Sequence, residues 1–218
     1  MDLSFVKWIG HASFLLTLNK KNVYIDPFNI RNTRVHADVI LITHPHQDHL
    51  SPDDIKLIAD QNTTVFAPKD SVDKIPVGKV IGVEPNKHYS HEGITFDTVP
   101  AYNVVENRLH YHPKSSGWVG YILDINGSKL YHAGDTDFIK EISKIAANLA
   151  MLPMGGTYVM DVDEMIKAAH SIKADKVAPI HYKQVLGKEA SDAAEKKFLA
   201  NVKNGILLKE VEDPKYSF

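Results

Sequence analysis

The sequence contains no cysteine, and this absence removes several kinds of functional site. Without thiols the chain can form no disulfide, no cysteine nucleophile, no cysteine-ligated zinc finger and no iron–sulfur cluster. Any metal ion must therefore be bound by histidine, aspartate or glutamate. No uncharged apolar stretch approaches the roughly 18 residues that span a bilayer, and the first residues carry no signal-peptide pattern. We therefore expect no membrane insertion and a cytoplasmic protein.

A surplus of either charge is also missing. Lysine and arginine number 25 against 27 acidic residues, which gives a net charge of −2. This balance provides no general attraction to nucleic acid, so we expect a small-molecule substrate. The length of 218 residues and the 44% hydrophobic content are typical of one globular domain over 1–218, with a homo-oligomer left open. Histidine, in contrast, is abundant, with twelve residues.

Short apolar runs separated by turn residues predict a protein of mixed strands and helices. The predicted strands are 14–18, 22–26, 38–43, 64–67, 79–83, 94–99, 118–125, 128–133, 149–152, 176–180 and 205–211. The predicted helices are about 51–61, 137–146, 162–172 and 191–202. Early strands are mostly joined as hairpins, including the pair around Asn126-Gly127, and later strands alternate with helices. We therefore expect mixed sheets whose outer faces are covered by helices.

A polar, aromatic and proline-bearing segment over 101–117 shows little periodicity. It predicts a long loop, and long loops in compact domains are usually functional.

Four groups able to bind a metal follow the buried run 38–43, in the sequence His44-Pro45-His46-Gln47-Asp48-His49. The end of a strand holds such a loop rigidly at the edge of a sheet. His44 and His46 can point the same way in an extended segment and chelate one ion. Asp48 and His49 follow a turn and can reach a second ion. The sequence therefore predicts a metal site here.

This HxHxDH pattern after an apolar strand resembles that of the metallo-β-lactamase superfamily. The segments 8–14 and 24–27 resemble the opening hairpin of its small metal-dependent hydrolase branch, which includes ascorbate-phosphate lactonases and N-acyl-phosphatidylethanolamine phospholipase D. The GDT motif within 131–136 and the segments 152–156 and 179–182 resemble later motifs of that branch. The resemblance implies an α/β fold, namely a four-layer αβ/βα sandwich of two mixed β-sheets with a binuclear metal site at its edge.

The resemblance also implies a set of ligands: His44 and His46 for the first ion, Asp48, His49 and His181 for the second, and Asp135 bridging both. The residues themselves agree, because Asp135 and His181 each follow a predicted strand and so lie at a sheet edge. The alternatives are that Asp135 caps the helix predicted at 137 and that His181 is a structural histidine.

The sequence departs from the superfamily pattern at the third ligand of the first ion. Superfamily members usually have a histidine at the position where this chain has Asn103. An amide oxygen is a poor zinc ligand beside imidazole. Either this first site is weaker, or His110 or His112 reaches it from the loop, and we favour His112. Asn103 and His112 are thus candidates for a third ligand or a substrate contact.

Two divalent ions, zinc first and manganese or another divalent ion second, would lower the pKa of a shared water from 15.7 to around 7. The resulting chemistry is hydrolysis of an ester, lactone, amide or phosphodiester, with Asp48 orienting the attacking group or carrying its proton. Lys114 and Lys183 are candidates to pair with an anionic substrate, and the alternative is that both are solvated surface lysines.

Three alternatives to a hydrolase of small molecules stay open. Redox relatives replace the second histidine of the cluster with glutamate, and His46 argues against that role. Processing ribonucleases share the cluster, but the mild negative charge argues against a nuclease. A catalytically weak metal-binding or sensing protein is kept open by the missing third histidine.

The remaining histidines divide into two kinds. His11 and His132 could orient a ligand or contact substrate, or serve as structural histidines. The others are predicted to be surface or packing residues: His36, His88, His91 and His170.

Overall fold

The computed structural model describes residues 3–18, 20–31, 35–125 and 127–211. Its strands form two six-stranded sheets. The first sheet contains β1 (Val6–Gly10), β2 (Ser13–Leu18), β3 (Lys21–Ile25), β4 (Val39–Leu41), β5 (Thr64–Pro68) and β6 (Lys79–Val83). The second contains β7 (His88–His91), β8 (Ile94–Pro100), β9 (Val119–Ile125), β10 (Ser128–His132), β11 (Ala146–Pro153) and β12 (Lys173–Ile180). The helices are α1 (Pro52–Ile58), α2 (Val162–Ser171), α3 (Lys183–Leu186) and α4 (Lys188–Asn201).

Both sheets are mixed and follow the same plan. In the first, β1 to β3 pair antiparallel and β3 to β6 pair parallel. In the second, β7 to β10 pair antiparallel and β10 to β12 pair parallel. Antiparallel pairs therefore open each half of the chain, and the predicted pair of β9 and β10 belongs to the second half. The short strands β1 and β7 were not predicted as separate strands, and Asn126 lies outside the described residues.

Alternating side chains of the strands build the layers. In β4, Val39 and Leu41 join the core that both sheets share, while Ile40 packs in a second cluster with Ile55 and Ile58 of α1. On the other side, α2 lies against β11 and β12. The predicted four-layer α/β sandwich of two mixed β-sheets is confirmed. The single domain over 1–218 stays a prediction.

Two helix starts follow the predicted capping chemistry. Ser51 caps α1 through a side-chain bond from the Asp54 amide, followed by Pro52 in the first turn. Asp161 and Glu164 form a reciprocal capping box at the start of α2. Helix α1 ends at Ile58, three residues before its predicted end.

The helix predicted over 137–146 is wrong. Only a short 3₁₀ turn, Ile142–Lys144, lies there, and β11 begins at Ala146. The buried residues Ile139, Ile142 and Ile145 are spaced by three, a period that suits a 3₁₀ turn as well as an α-helix.

The strand predicted over 205–211 is also wrong. Gly205 makes an isolated bridge to Val177 at the edge of the second sheet, and Glu210 makes one to Trp8 at the edge of the first. The segment therefore crosses from one sheet to the other and cannot pair along its length with either.

None of the helices within the described residues has both the length and the apolar character needed to cross a bilayer.

Candidate metal centre

The carboxyl ends of four strands meet at one edge of the sandwich. Strand β3 is followed by Asp26, β4 by the segment 44–49, β10 by Asp135 and β12 by His181. Because parallel neighbours end at the same side of a sheet, residues distant in sequence become neighbours here.

The first group of possible ligands consists of His44, His46 and His112. One ring nitrogen of each lies within 4.8 Å of the other two. His44 Nε2 and His46 Nδ1 are 3.0 Å apart. His44 and His112 are buried, whereas His46 is partly open to solvent.

The second group consists of Asp48, His49, His181 and His11, whose ligand atoms also lie within 4.8 Å of one another. Asp48 Oδ2 is 2.9 Å from His11 Nε2, 3.3 Å from His181 Nε2 and 3.7 Å from His49 Nε2. One carboxylate oxygen thus faces three imidazoles.

Asp135 lies between the two groups. Its Oδ2 is 3.3 Å from His112 Nε2 and 3.2 Å from His181 Nε2, and its Oδ1 is 3.3 Å from His49 Nε2. Gly134 positions it with a φ of +64°, and a Cβ on that glycine would meet the Val119 carbonyl oxygen at 3.0 Å. The alternative role of Asp135 as a helix cap has no helix to serve, because none begins at 137.

The structure brings His112, and neither Asn103 nor His110, into the first group. The Asn103 side chain lies behind His112, where its Oδ1 accepts a hydrogen bond of 2.7 Å from His112 Nδ1. That bond fixes the orientation of the ring and directs Nε2 at the cluster. His110 is exposed and contacts the ring of Tyr111. The first group therefore has a third imidazole, although the chain has no histidine at the usual sequence position of the third ligand.

Asp26 supports His49 from below. It accepts a 2.7 Å hydrogen bond from His49 Nδ1 and bonds of 2.7 and 2.6 Å from the amide and hydroxyl of Thr43. A carboxylate on the far nitrogen of an imidazole fixes the ring's orientation and increases its basicity as a ligand.

Three non-glycine residues of the centre have left-handed backbone conformations. The φ values are +53° for His11, +45° for Asp26 and +54° for His181. Such conformations are uncommon for side chains of this kind and concentrate at functional sites. Here each turns a strand end sharply, so that the side chain points into the centre.

Several polar atoms of the centre are buried without a hydrogen-bond partner. Among the described residues they include Nε2 of His49, His112 and His181, together with Oδ1 of Asp135. A buried polar atom with no partner costs free energy, so a convergent group of them requires an explanation. Divalent cations accept electron pairs from these imidazole and carboxylate atoms, and the donor set therefore fits a metal.

The charges of the centre are strongly coupled. Burial alone would lower the pKa of His49, but Asp135, Asp48 and Asp26 raise it well above its ordinary value. His181 has a raised pKa because Asp135 and Asp48 outweigh its burial. Without a cation, protons on imidazoles balance the buried carboxylates.

Two other histidines shift in the opposite direction. Burial, followed by the neighbouring His181, lowers the pKa of His11 to about 4. Burial and then His49 lower the pKa of His44 well below its ordinary value.

A cavity of about 660 Å³ opens beside the cluster. The cluster contributes one wall, and the rest comes from the segments around 28, 47, 111, 157–158 and 184–185. A volume of this size accommodates a small organic molecule.

Residues 5–181 match the family model described as the Beta-lactamase superfamily domain. The chain belongs to the metallo-β-lactamase superfamily. A UPF0173 metal-dependent hydrolase from Thermoplasma volcanium is 30% identical over 98% of this chain and 99% of its own length. This likeness confirms the predicted branch of small metal-dependent hydrolases.

Solved structures agree with this superfamily membership. A candidate metal-dependent hydrolase from Parabacteroides distasonis has a TM-score of 0.82 at 30% identity, over 95% of this chain and 93% of that one. Igni18, a metallo hydrolase from Ignicoccus hospitalis, has a TM-score of 0.74 at 20% identity over 95% of each chain, and it shows the fold alone.

Two residues of this superfamily site were missed or left open by sequence reasoning. Asp26 appeared only as part of the segment 24–27, although a carboxylate directly after a buried strand and before Pro27 was an available signal. His11 was left undecided, and its side chain bonds to Asp48. His132 is structural, because its Nε2 bonds to the Ala12 carbonyl and its Nδ1 accepts the Gly134 amide.

The other predicted groups lie outside the centre. Neither Lys114 nor Lys183 lines the cavity that the described residues form, so neither is placed to pair with a substrate there. The four histidines predicted to be surface or packing residues also lie outside the cluster: His36, His88, His91 and His170.

Proposed function

We propose that this metallo-β-lactamase relative hydrolyses an ester, lactone, amide or phosphodiester bond of a small molecule, using two divalent metal ions. The observation that carries the proposal is the set of unpaired, buried imidazole and carboxylate atoms that converge on one edge of the sandwich. Zinc is the first choice of metal and manganese the second, because the ligands are mostly imidazoles. A cytoplasmic location and a homo-oligomeric state stay predictions.

The ligands divide between the ions according to their distances. We assign the first ion to His44, His46 and His112, and the second to Asp48, His49 and His181. Asp135 would contact both, since its two oxygens face histidines of both groups. His11 would act through Asp48, to which it is hydrogen-bonded.

Bound divalent ions supply a water of lowered pKa and polarise the oxygen of the group under attack. The chain contributes the orientation. Asp48 is the one carboxylate of the cluster with substantial exposure, with 34% of its side chain open and directed at the cavity. It is therefore placed to orient the attacking water or to carry its proton.

The alternatives lose support. Redox relatives have a glutamate where this chain has His46. Among the described residues, no lysine or arginine lines the cavity. Nucleases bind the phosphate backbone through such cationic side chains, so this lining argues against a nuclease. The sensing alternative depended on a missing third histidine, and the nearness of His112 to His44 and His46 weakens that argument.

Metal analysis combined with a hydrolysis screen tests the proposal. We expect about two ions per chain and metal-dependent turnover, whereas His46→Ala should keep about one ion and lose most of its turnover. His88→Ala is the matched control, because His88 is exposed and paired only with Asp97. The proposal is wrong if the protein carries its full metal content but hydrolyses no class of bond, and if His46→Ala changes neither result.

A further inference from the structure

The cavity wall opposite the cluster carries no cationic side chain among the described residues. Its polar members are uncharged, namely Gln47, Thr157 and Gln184, and its apolar members are Phe28, Tyr111, Tyr158 and Val185. Enzymes that bind phosphate or carboxylate groups away from the metal usually present arginine or lysine to them. This wall offers no such partner.

The two lysines nearest in sequence to the centre are engaged elsewhere. Lys114 Nζ donates to the Tyr102 hydroxyl at 3.2 Å and lies 4.5 Å from the centre of that ring. Lys183 Nζ is 3.4 Å from Glu210 Oε2 and 5.0 Å from the centre of the Trp8 ring. A negative group that packs against this wall therefore finds no cationic side chain to pair with among the described residues.

The aromatic side chains supply flat apolar surfaces around the entrance. Tyr111 and Tyr158 pack edge to face with their ring centres 4.8 Å apart, and Tyr158 is 41% exposed. Phe28 lies next to His11, with ring centres 6.0 Å apart. Such surfaces gain free energy from contact with an uncharged hydrocarbon or aromatic substituent.

We propose that the substrate is an uncharged carboxylic ester, lactone or amide whose apolar substituent lies against the aromatic wall. This inference rests on the proposed hydrolase function and narrows it, since it excludes phosphodiesters and substrates with a second, anionic group. The hydrolysed carbonyl bond gives an acid and an alcohol or amine, with water as the only co-reactant.

A matched pair of esters tests the charge preference. 4-Nitrophenyl butyrate and mono-4-nitrophenyl succinate share the leaving group and nearly the same length, but only the succinate carries a distal carboxylate. With the metal-loaded protein, we expect kcat/KM divided by the uncatalysed rate to be about tenfold or more higher for the butyrate, a difference of about 1.4 kcal/mol. Bis(4-nitrophenyl) phosphate should be the poorest of the three.

A charge placed in the wall should change this preference. Val185→Lys adds a cation beside the cavity. We expect it to raise kcat/KM for the succinate ester and so to lower the butyrate-to-succinate ratio of kcat/KM. Leu199→Lys adds the same charge at an exposed position of α4 and should leave this ratio unchanged. Metal content and thermal midpoint, measured for each variant, separate a change of preference from a failure to fold.

The results distinguish a failure of the proposed substrate preference from a failure of the proposed hydrolase function. Equal or faster hydrolysis of the succinate ester, or a preference for the phosphodiester, overturns the inference and leaves the hydrolase function in place. If protein that carries its metals hydrolyses none of the three probes and no lactone or amide in the wider screen, the proposed function itself is wrong and the inference falls with it.

Discussion

His110 and His112 differ by two positions in one loop, yet they have opposite surroundings. His112 is 1% exposed and hydrogen-bonded through Nδ1 to Asn103, whereas His110 is exposed. The contrast comes from tertiary contacts that fix the loop, because the Asn103 amide nitrogen also donates to the Tyr158 carbonyl. No local property of the sequence distinguishes the two imidazoles.

His112→Ala tests this assignment directly. We expect the variant to retain about one of two metal ions, because the first group loses a ligand and the second group stays complete. Metal content by elemental analysis measures the loss, and His110→Ala is the control in the same loop. Equal metal loss in both variants, or none in His112→Ala, would contradict the assignment.

Substitution of Asp26 measures how much a carboxylate that orients His49 contributes to metal affinity. Asp26→Asn keeps the shape of the side chain but removes one acceptor from a site that receives bonds from His49 and Thr43. We expect metal affinity to fall by roughly 10- to 100-fold, the usual effect of losing such a partner. Competition with a chelator measures the affinity, and the exposed Asp192→Asn provides the control. Unchanged affinity would mean that His49 needs no such support.

The sequence predicted the cluster residues more completely than the residues around them. His44, His46, Asp48 and His49 are adjacent in the chain, and their spacing alone indicated a site. Asp26 and His11 contribute through hydrogen bonds that cross from one strand end to another. Such contacts depend on the pairing of sheets and leave no pattern in the local sequence.

The loop over 101–117 is held to the protein by Arg108. This buried side chain donates to the Val159 carbonyl at 2.9 Å and to Glu164 at 2.7 Å, and it lies 3.0 Å from Asp137 Oδ1. Asp137 in turn accepts the amides of Val104 and Val105. The loop that presents His112 is thus fixed at its centre by a buried ion cluster.

Arg108→Met should therefore loosen the loop and destabilise the protein. Removing one partner leaves Asp137 buried and less well paired, at a cost of about 3 kcal/mol in the free energy of unfolding. Urea denaturation measures that cost, and limited proteolysis of the folded protein reports cleavage within 101–117. Arg108→Lys keeps the charge but not the fork of donors, so we expect an intermediate effect. A variant as stable and as resistant as the parent would show that Arg108 is not the anchor.

The elements that sequence reasoning identified correctly are those with strong local signals. Paired apolar runs gave the hairpin of β2 and β3, and the Asp161 capping box gave the start of α2. The helix over 137–146 failed because the buried residues Ile139, Ile142 and Ile145 are spaced by three, which also suits the 3₁₀ turn that forms there. The strand over 205–211 failed because its residues connect two sheet edges, which only the tertiary arrangement determines.

The centre joins the two sheets of the molecule. His44, His46 and His49 follow a strand of the first sheet, whereas Asp135 and His181 follow strands of the second. A bound ion therefore links both halves of the sandwich and stabilises the folded state over the unfolded one. We expect chelation to lower the thermal midpoint and readdition of zinc to restore it, as measured by calorimetry.

The metal-free protein should be most stable near pH 6.5, the ordinary pKa of histidine. Because the pKa values of His49 and His181 are raised, the folded state keeps protons that the unfolded state releases above this pH, so stability falls as the pH rises. Because the pKa values of His11 and His44 are lowered, the unfolded state binds protons below this pH that the folded state does not, so stability falls in acid.

Bound metal should abolish the fall in stability at alkaline pH but not the fall in stability in acid. Coordination requires neutral imidazoles, so the loaded protein holds no proton on His49 or His181 to lose as the pH rises. Thermal midpoints between pH 4.5 and 9, with chelator and with zinc, measure both curves. We expect a maximum in the first and, in the second, a rise from acid followed by a plateau. A metal-free midpoint that keeps rising beyond pH 8 would contradict the raised pKa values, and with them the balance of buried charge that makes this centre a cation site.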